Sequence, residues 1–332
     1  MSPSRWIAAV AVVLAGAAPA AALDTVRFGT NWLAQAEHGG FYQAVADGTY
    51  ARHGLDVEIV QGGPQGANRA LLVAGKVDFY MAGNMIQPLL AIPEGVPIVE
   101  VAAIFQKDPA AFLTHPDAPV ETFADLARLP TLFVSKDSLV TWYRLVMATY
   151  PGFSEEQVKP YTFNLAPFLL DPLFAQQGYV TSEPFAIEAE AGFTPKVFLL
   201  ADAGFDTYST LIETTRTMVD ERPDVVQRFV DASIEGWYTY LHGDPSRGNA
   251  LIRADNPDMT EARIAAGIAA MKAHGMIESG DAETGGIGCM SAARQEAFYA
   301  AMVEAGIVPG GLDINVAYTT RFVCKGVGRR AP

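Results

Sequence analysis

The chain has 332 residues, half of them hydrophobic and 18% charged, with 37 acidic residues against 23 Lys and Arg and a net charge of −14 at pH 7. A surface this acidic repels phosphate backbones and anionic lipid at long range, and no Lys/Arg-rich run offsets it, which excludes nucleic-acid and membrane-surface roles. A single hydrophobic core stops growing near ~250–300 residues, so the length implies two domains.

At the amino terminus Arg5 precedes the apolar run Trp6 to Ala18, and the small tripeptide Ala20-Ala21-Ala22 follows. The run is too short for a helix crossing a ~30 Å hydrocarbon core, and its end has the A-x-A form of a signal-peptide cleavage site. Residues 1–22 are therefore expected to be an export signal, with the mature chain starting near Leu23 in the periplasm. The alternative, an uncleaved membrane anchor, lacks a basic stop-transfer flank.

Val26 to Gly29 is a short β-rich run, followed by a Trp-bearing loop and an amphipathic stretch from Gly40 to Arg52 that Gly54 stops. Leu55 to Val60 is a second strand, Gln65 to Val73 a helix, and Val77 to Met81 a strand ending at Gly83-Asn84. A helix over Met85 to Ile92 leads to strand Ile98 to Phe105. Such alternation implies a parallel sheet covered by helices on both faces, with ligands at the carboxyl ends of its strands. Between Lys107 and Asp125, Pro109, Pro116 and Pro119 are expected to break any regular element.

A second α/β unit starts at Thr131 to Val134 and closes with strand Val197 to Ala201. From Pro223 the chain reads as mainly helical, over Asp224 to Tyr240, Thr260 to Lys272 and Ser291 to Ala305, with Asp220 and Ser291 as candidate N-terminal caps. The expected organisation is 23–107 as the first part of lobe 1, 108–204 as lobe 2, and 205–332 as the return to lobe 1 with C-terminal helices. Cys289 and Cys324 can pair in an oxidising compartment or stay as two buried thiols.

No G-x-S-x-G, no P-loop and no G-x-G-x-x-G is present, and no triad can be assembled, so no catalytic residues are assigned. The five His are dispersed, with no CxxC or HxxxH, so no metal or other cofactor is expected. The strand ends instead offer rings, amides and small residues. Asn31, Trp32, His38 and Tyr42 follow the first strand, and Gly83-Asn84 follow the third. Lys136, Asp137, Ser138 and Trp142 follow the first strand of the second unit, and Tyr179 to Glu183 follow a later one. Rings stacking on a planar polar ligand while amides and a carboxylate read its edge would use this set. Each aromatic has an alternative place in the core, and Glu183 an alternative place on the surface.

Asn31 to Gly63, NWLAQAEHGGFYQAVADGTYARHGLDVEIVQGG, resembles the opening of ABC-importer binding proteins for thiamine pyrimidine precursors. Gly75 to Phe79, Tyr179 to Glu183 and Phe229 to Trp237 continue that resemblance in order. The broader superfamily includes sulfonate, nitrate and pyrimidine binders and the pyrimidine synthase branch. The resemblance implies a two-lobed type II periplasmic binding fold, a monomer that hands a small heteroaromatic solute to a permease and its ATPase. It places Trp32, His38 and Tyr42 around the ligand, Gly83-Asn84 on the lobe 1 wall, and Glu183 opposite an aminopyrimidine edge. Asn31 stands where the family has an acidic or amide residue, and the Ser135-Lys136-Asp137-Ser138 loop departs from the glycine- and serine-rich loop of phosphorylated-pyrimidine binders. A pyrimidine synthase-like enzyme and a ligand-sensing subunit are the alternative functions, and a sulfonate-, nitrate- or riboflavin-like solute the alternative ligands.

Overall fold

The computed structural model describes residues 22–63 and 66–329, so the export signal read over 1–22 lies, except for Ala22, outside the described residues. Four strands open the fold: β1 (Asp24–Gly29), β2 (Leu55–Val60), β3 (Phe79–Asn84) and β4 (Ile98–Phe105). The chain then builds a second sheet from β5 (Ala110–Thr114), β6 (Thr131–Val134), β7 (Val158–Pro160), β8 (Phe174–Tyr179) and β9 (Lys196–Leu199). It returns to the first as β10 (Ser209–Thr215). The sheet orders are β2-β1-β3-β10-β4 and β7-β6-β8-β5-β9. Helices flank both sheets, giving the two-lobed α/β architecture of type II binding folds.

Each sheet is mostly parallel, as expected, with one antiparallel strand inserted. β10 runs antiparallel between β3 and β4, and β5 runs antiparallel between β8 and β9. Both strands were unexpected. Pro109 and Pro116 flank β5 instead of interrupting it, and the five residues of the strand, all buried, contain no proline. β10 is the Ser/Thr-rich run STLIETT, whose hydroxyls disguise a strand buried along nearly its whole length. Each of the two strands enters its sheet from the other lobe, which is why it runs against the parallel set.

The amphipathic stretch Gly40 to Arg52 divides into two helices, Gly39–Ala46 and Thr49–Arg52. Gly48 between them sits at φ 77°, a left-handed conformation that glycine takes without Cβ strain. The Asp47 carboxylate accepts the Thr49 N–H at 3.0 Å and so starts the second helix. The helix expected from Gln65 begins at Asn68, and Gln65 itself lies outside the described residues. The late helices run Pro223–His242, Glu261–Ala273 and Ala292–Glu304, with a further helix at Ser246–Asp255. Asp220 is not a cap: it lies inside helix Arg216–Glu221, whose first turn is capped by the Thr215 hydroxyl accepting Met218 N–H at 3.2 Å. Ser291 does precede the last long helix, but its hydroxyl is donated to Asp281 at 3.0 Å instead of capping.

Lobe 1 centres on helix Pro223–His242, where Phe229 stacks on Phe79 at 4.1 Å and Trp237 meets Phe41 edge-on at 5.8 Å. Helix Gly39–Ala46 lies directly on it because the contact is made of glycines. A Cβ on Gly40 would fall 2.2 Å from the Trp237 ring, and one on Gly236 would fall 2.3 Å from the Gly40 carbonyl oxygen. This close approach drives the turn just before Gly39 into the interior. Cys289 and Cys324 are disulfide-bonded and tie the C-terminal segment to the start of the last long helix.

Gly236→Ala is expected to cost about 1–3 kcal/mol through overpacking, seen as a lowered Tm, while Gly310→Ala, whose Cβ would meet only Val303 at 3.4 Å, leaves Tm unchanged. Equal Tm values for the two variants would show that the helix contact has room to relax.

Candidate functional site

The inserted strands locate the site. Ser209, the first residue of β10, pairs with Asn84 and Phe105 at the carboxyl ends of β3 and β4. Ala110, the first residue of β5, pairs with Tyr179 at the carboxyl end of β8. Both crossovers between the sheets therefore run at the carboxyl ends of the parallel strands, and those ends face each other across a cleft.

The lobe 1 wall carries Asn31, Trp32, Glu37, Gly83 and Asn84. Asn31 Oδ1 is buried without a hydrogen-bond partner, and a Cβ on Gly83 would sit 3.8 Å from Asn31 Nδ2, so the amide lies beside that glycine. The Gly83 carbonyl accepts the Ser209 hydroxyl at 2.6 Å. Asn84 donates weakly to Asp108 at 3.5 Å and accepts the Ile86 N–H at 3.1 Å. Trp32 reaches the other lobe, its ring 5.0 Å from Phe163.

On the lobe 2 wall, Tyr179 ends β8 and its N–H donates to Glu183 Oε2 at 2.7 Å. The Tyr161 hydroxyl approaches Glu183 Oε1 at 3.4 Å. Gly178 makes this fold-back possible, since a Cβ there would lie 2.9 Å from both Cβ and Cγ of Glu183. Tyr179 is 37% exposed. Burial raises its phenol, and the charges of Asp108, Glu37 and Glu183 raise it further.

Glu37 joins the two walls. It is 4% exposed in the turn before Gly39, and it accepts a hydrogen bond from the Thr181 hydroxyl of the other lobe. Burial raises its carboxyl above the usual range, pushes Asp108 up to about 6 and pushes Glu183 up to about 7. Arg263 is the one cation whose field lowers any of these three, and it acts on Glu37.

The remaining expected residues take other places. His38 is 1% exposed, and burial lowers its imidazole to about 3, so the ring is neutral; its Nδ1 has no partner. Tyr42 is core, its hydroxyl donating to Asp255 at 2.8 Å and tying two lobe 1 helices together. Trp142 is core in lobe 2, edge-on to Phe112 at 5.4 Å. Lys136 is exposed, and Ser138 is engaged with Ser135 at 2.9 Å in the cap of helix Lys136–Leu139. The structure thus gathers Asn31, Trp32, Gly83, Asn84, Tyr179 and Glu183 around the cleft, and adds Glu37, Asp108, Tyr161 and Phe163, which sequence reasoning did not select. Glu37 had a signal, a carboxylate set in the small apolar run before Gly39-Gly40. Asp108 was hidden in the proline-rich crossover, and Phe163 had none.

A separate groove of about 660 Å³ lies on the C-terminal helices. Several of its polar groups are paired, His242 with Glu278 at 2.8 Å and Arg329 with the Glu283 and Thr284 carbonyls. No metal-binding cluster of His, Cys, Asp and Glu occurs among the described residues, and no helix among them is long and apolar enough to cross a membrane.

Asp108 and Glu183 titrate higher in the folded chain than in the unfolded one, so their stabilising, protonated form is in place below about pH 4 and is lost as pH rises through about 6 to 7. Tm is expected to fall by several degrees between about pH 5 and about pH 8, and Glu183→Gln, which cannot ionise, is expected to flatten the upper part of that fall. An unchanged pH dependence in Glu183→Gln would show the carboxylate to be ionised throughout this range.

The sequence profile described as NMT1/THI5 like matches residues 35–247. The riboflavin-binding protein RibY of Chloroflexus aurantiacus is 26% identical over 226 residues, 64% of this chain and 62% of that protein. This match thus spans less than two thirds of RibY. The formylaminopyrimidine-binding protein of Halalkalibacterium halodurans is 23% identical over 239 residues, 70% of this chain and 71% of that protein. Among solved structures, the periplasmic aliphatic sulphonate binding protein SsuA of Escherichia coli superposes with a TM-score of 0.63 at 16% identity, covering 88% of this chain and 91% of that one. That similarity concerns the fold. With a profile match over well more than half its length, on a fold whose two lobes meet at their strand ends, the chain belongs to the NMT1/THI5-like family.

Proposed function

We propose that this chain is the solute-capturing component of an ABC importer, working outside the cytoplasm as a monomer and delivering its ligand to a permease served by an ATPase. The ligand is a small planar heteroaromatic, neutral or cationic, with hydrogen-bond donors on one edge. One observation carries this reading: the buried carboxyls Glu37 and Asp108 and the half-buried Glu183 all act on Tyr179 between the lobes, and only Arg263 offsets any of the three. Asp108 and Glu183, pushed up to about 6 and about 7, are at least half ionised at pH 7 and no cation lowers either, so an anion in this cleft would be disfavoured. A sulphonate, which the name of SsuA specifies, is therefore a poor fit. The names of the riboflavin- and formylaminopyrimidine-binding relatives point to flat, donor-bearing rings, which this cleft suits. Trp32 would take the ring face, and Glu183 would accept the donor edge.

The raised pKa of Glu183 supports the same reading, because a carboxyl buried without a cation is stabilised by a ligand that brings its own donors. The names of the relatives, a riboflavin-binding and a formylaminopyrimidine-binding protein, support capture rather than catalysis.

Calorimetry with a 4-aminopyrimidine, riboflavin, methanesulfonate and nitrate tests the assignment. The planar compounds are expected to bind and the two anions not to. Trp32→Ala is expected to weaken binding by about 1–3 kcal/mol, roughly ten- to a hundredfold, with Tm intact. Glu183→Gln should weaken the aminopyrimidine more than an analogue lacking the amino group, because one acceptor oxygen becomes a donor. Tighter binding of methanesulfonate than of either ring compound would refute the proposed ligand class.

A further inference from the structure

Phe163 lies between β7 and the short helix Ala166–Leu169 and is held at φ 59°, in the left-handed region that bulky residues avoid. Among the described non-glycine residues only Thr210 and Cys324 share a positive φ. A turn that needed only this backbone shape would use Gly or Asn. Asn is the next residue, and it is committed elsewhere, its Oδ1 accepting the Ala166 N–H at 3.0 Å to start the helix. The Phe163 side chain is also 57% exposed, so packing in lobe 2 does not explain the strained backbone.

What the strain achieves is position. The Phe163 ring lies 5.0 Å from Trp32 of lobe 1, tilted 43°, and 5.1 Å from Tyr161 of its own lobe. Tyr161 in turn reaches Glu183. An aromatic path therefore runs from the mouth of the cleft to the carboxylate, with one ring contributed by the opposite lobe.

From this arrangement we infer that Phe163 is the lobe 2 jaw of an aromatic clamp, and that the solute's ring is bound between it and Trp32 while its donor edge reaches Glu183. This rests on the proposed heteroaromatic ligand and adds the residue that selects for flatness. Carbon surfaces touch at ~3.5–4 Å, so a ring sandwiched in parallel needs about 7–8 Å between the jaws. At 5.0 Å the two rings occupy each other's ligand face. Because the jaws belong to different lobes, seating a ring between them sets how far the lobes can close.

The clamp is tested on the full chain with riboflavin, followed by quenching of flavin fluorescence, and with a 4-aminopyrimidine, followed by calorimetry. Phe163→Ala is expected to weaken both by about ten- to a hundredfold, and Phe163→Tyr to keep near-normal affinity. Phe163→Gly, which relieves the left-handed strain, is expected to match the affinity loss of Phe163→Ala without lowering Tm. Trp32→Ala is measured in parallel. Full affinity in Phe163→Ala alongside weakened binding in Trp32→Ala overturns the clamp and leaves the cleft assignment standing. Full affinity in both variants, or no binding of either probe to the unaltered chain, overturns the clamp together with the ligand class. A Tm loss in Phe163→Gly with affinity preserved assigns Phe163 to the packing of lobe 2.

Discussion

Each sheet contains a strand delivered from the other lobe. Without β10, β3 and β4 would each present an unpaired row of backbone groups inside lobe 1, and β5 stands in the same relation to β8 and β9. Backbone groups buried without partners are costly, so neither lobe completes its sheet alone. The same pairing determines where the crossovers lie, because an antiparallel strand inserted into a parallel set must begin at the carboxyl ends of its neighbours. The cleft, the Asn84–Asp108 contact and the placing of Tyr179 all follow from that insertion.

Onto this frame the glycine contact between helices Gly39–Ala46 and Pro223–His242 adds one more constraint. Because Gly39, Gly40 and Gly236 admit no Cβ, the turn before them is drawn inward and carries Glu37 into the interior. Glu37 then meets Thr181 of the other lobe, so a packing detail of lobe 1 becomes a contact across the cleft.

Two groups of buried acids show how differently the fold treats charge. In the lobe 1 sheet Glu213 pairs in register with Glu100 and is held by a two-pronged contact from Arg69, at 3.0 and 2.7 Å. Burial and the Glu213 charge raise Glu100 far above the usual carboxylate range, so Glu100 keeps a proton while Arg69 pairs with Glu213, although neither Glu100 oxygen has a hydrogen-bond partner among the described residues. In the cleft, Asp108 and Glu183 have only hydrogen bonds from backbone and neutral side chains. The first group holds an arginine of its own, and the second has none that lowers Asp108 or Glu183.

Much was legible in the chain itself. The strand-helix alternation from Val26 to Phe105 and the helical spacing beyond Pro223 follow from local hydrophobic period, which is a property of short segments. Candidates at Asn31, Trp32, Gly83, Asn84, Tyr179 and Glu183 came from their place after strands, and strand ends are a local feature too. What only the tertiary structure decided depends on contacts between distant segments. The β5 segment reads as a proline-broken crossover and the β10 segment carries no strand assignment, since their strand character comes from partners that lie far along the chain. Tyr42 and Trp142 look like ligand contacts by position, yet the hydroxyl of one is bonded to Asp255 and the ring of the other is packed on Phe112. Glu37 and Phe163 enter the site by the reverse route, each facing a residue of the opposite lobe, Thr181 and Trp32. Local pattern determined which segments form strands and helices, because that depends on neighbours within a few residues. Which side chains share the cleft was settled by the crossing of the chain between lobes, because only that crossing brings residues more than a hundred positions apart within reach of one another.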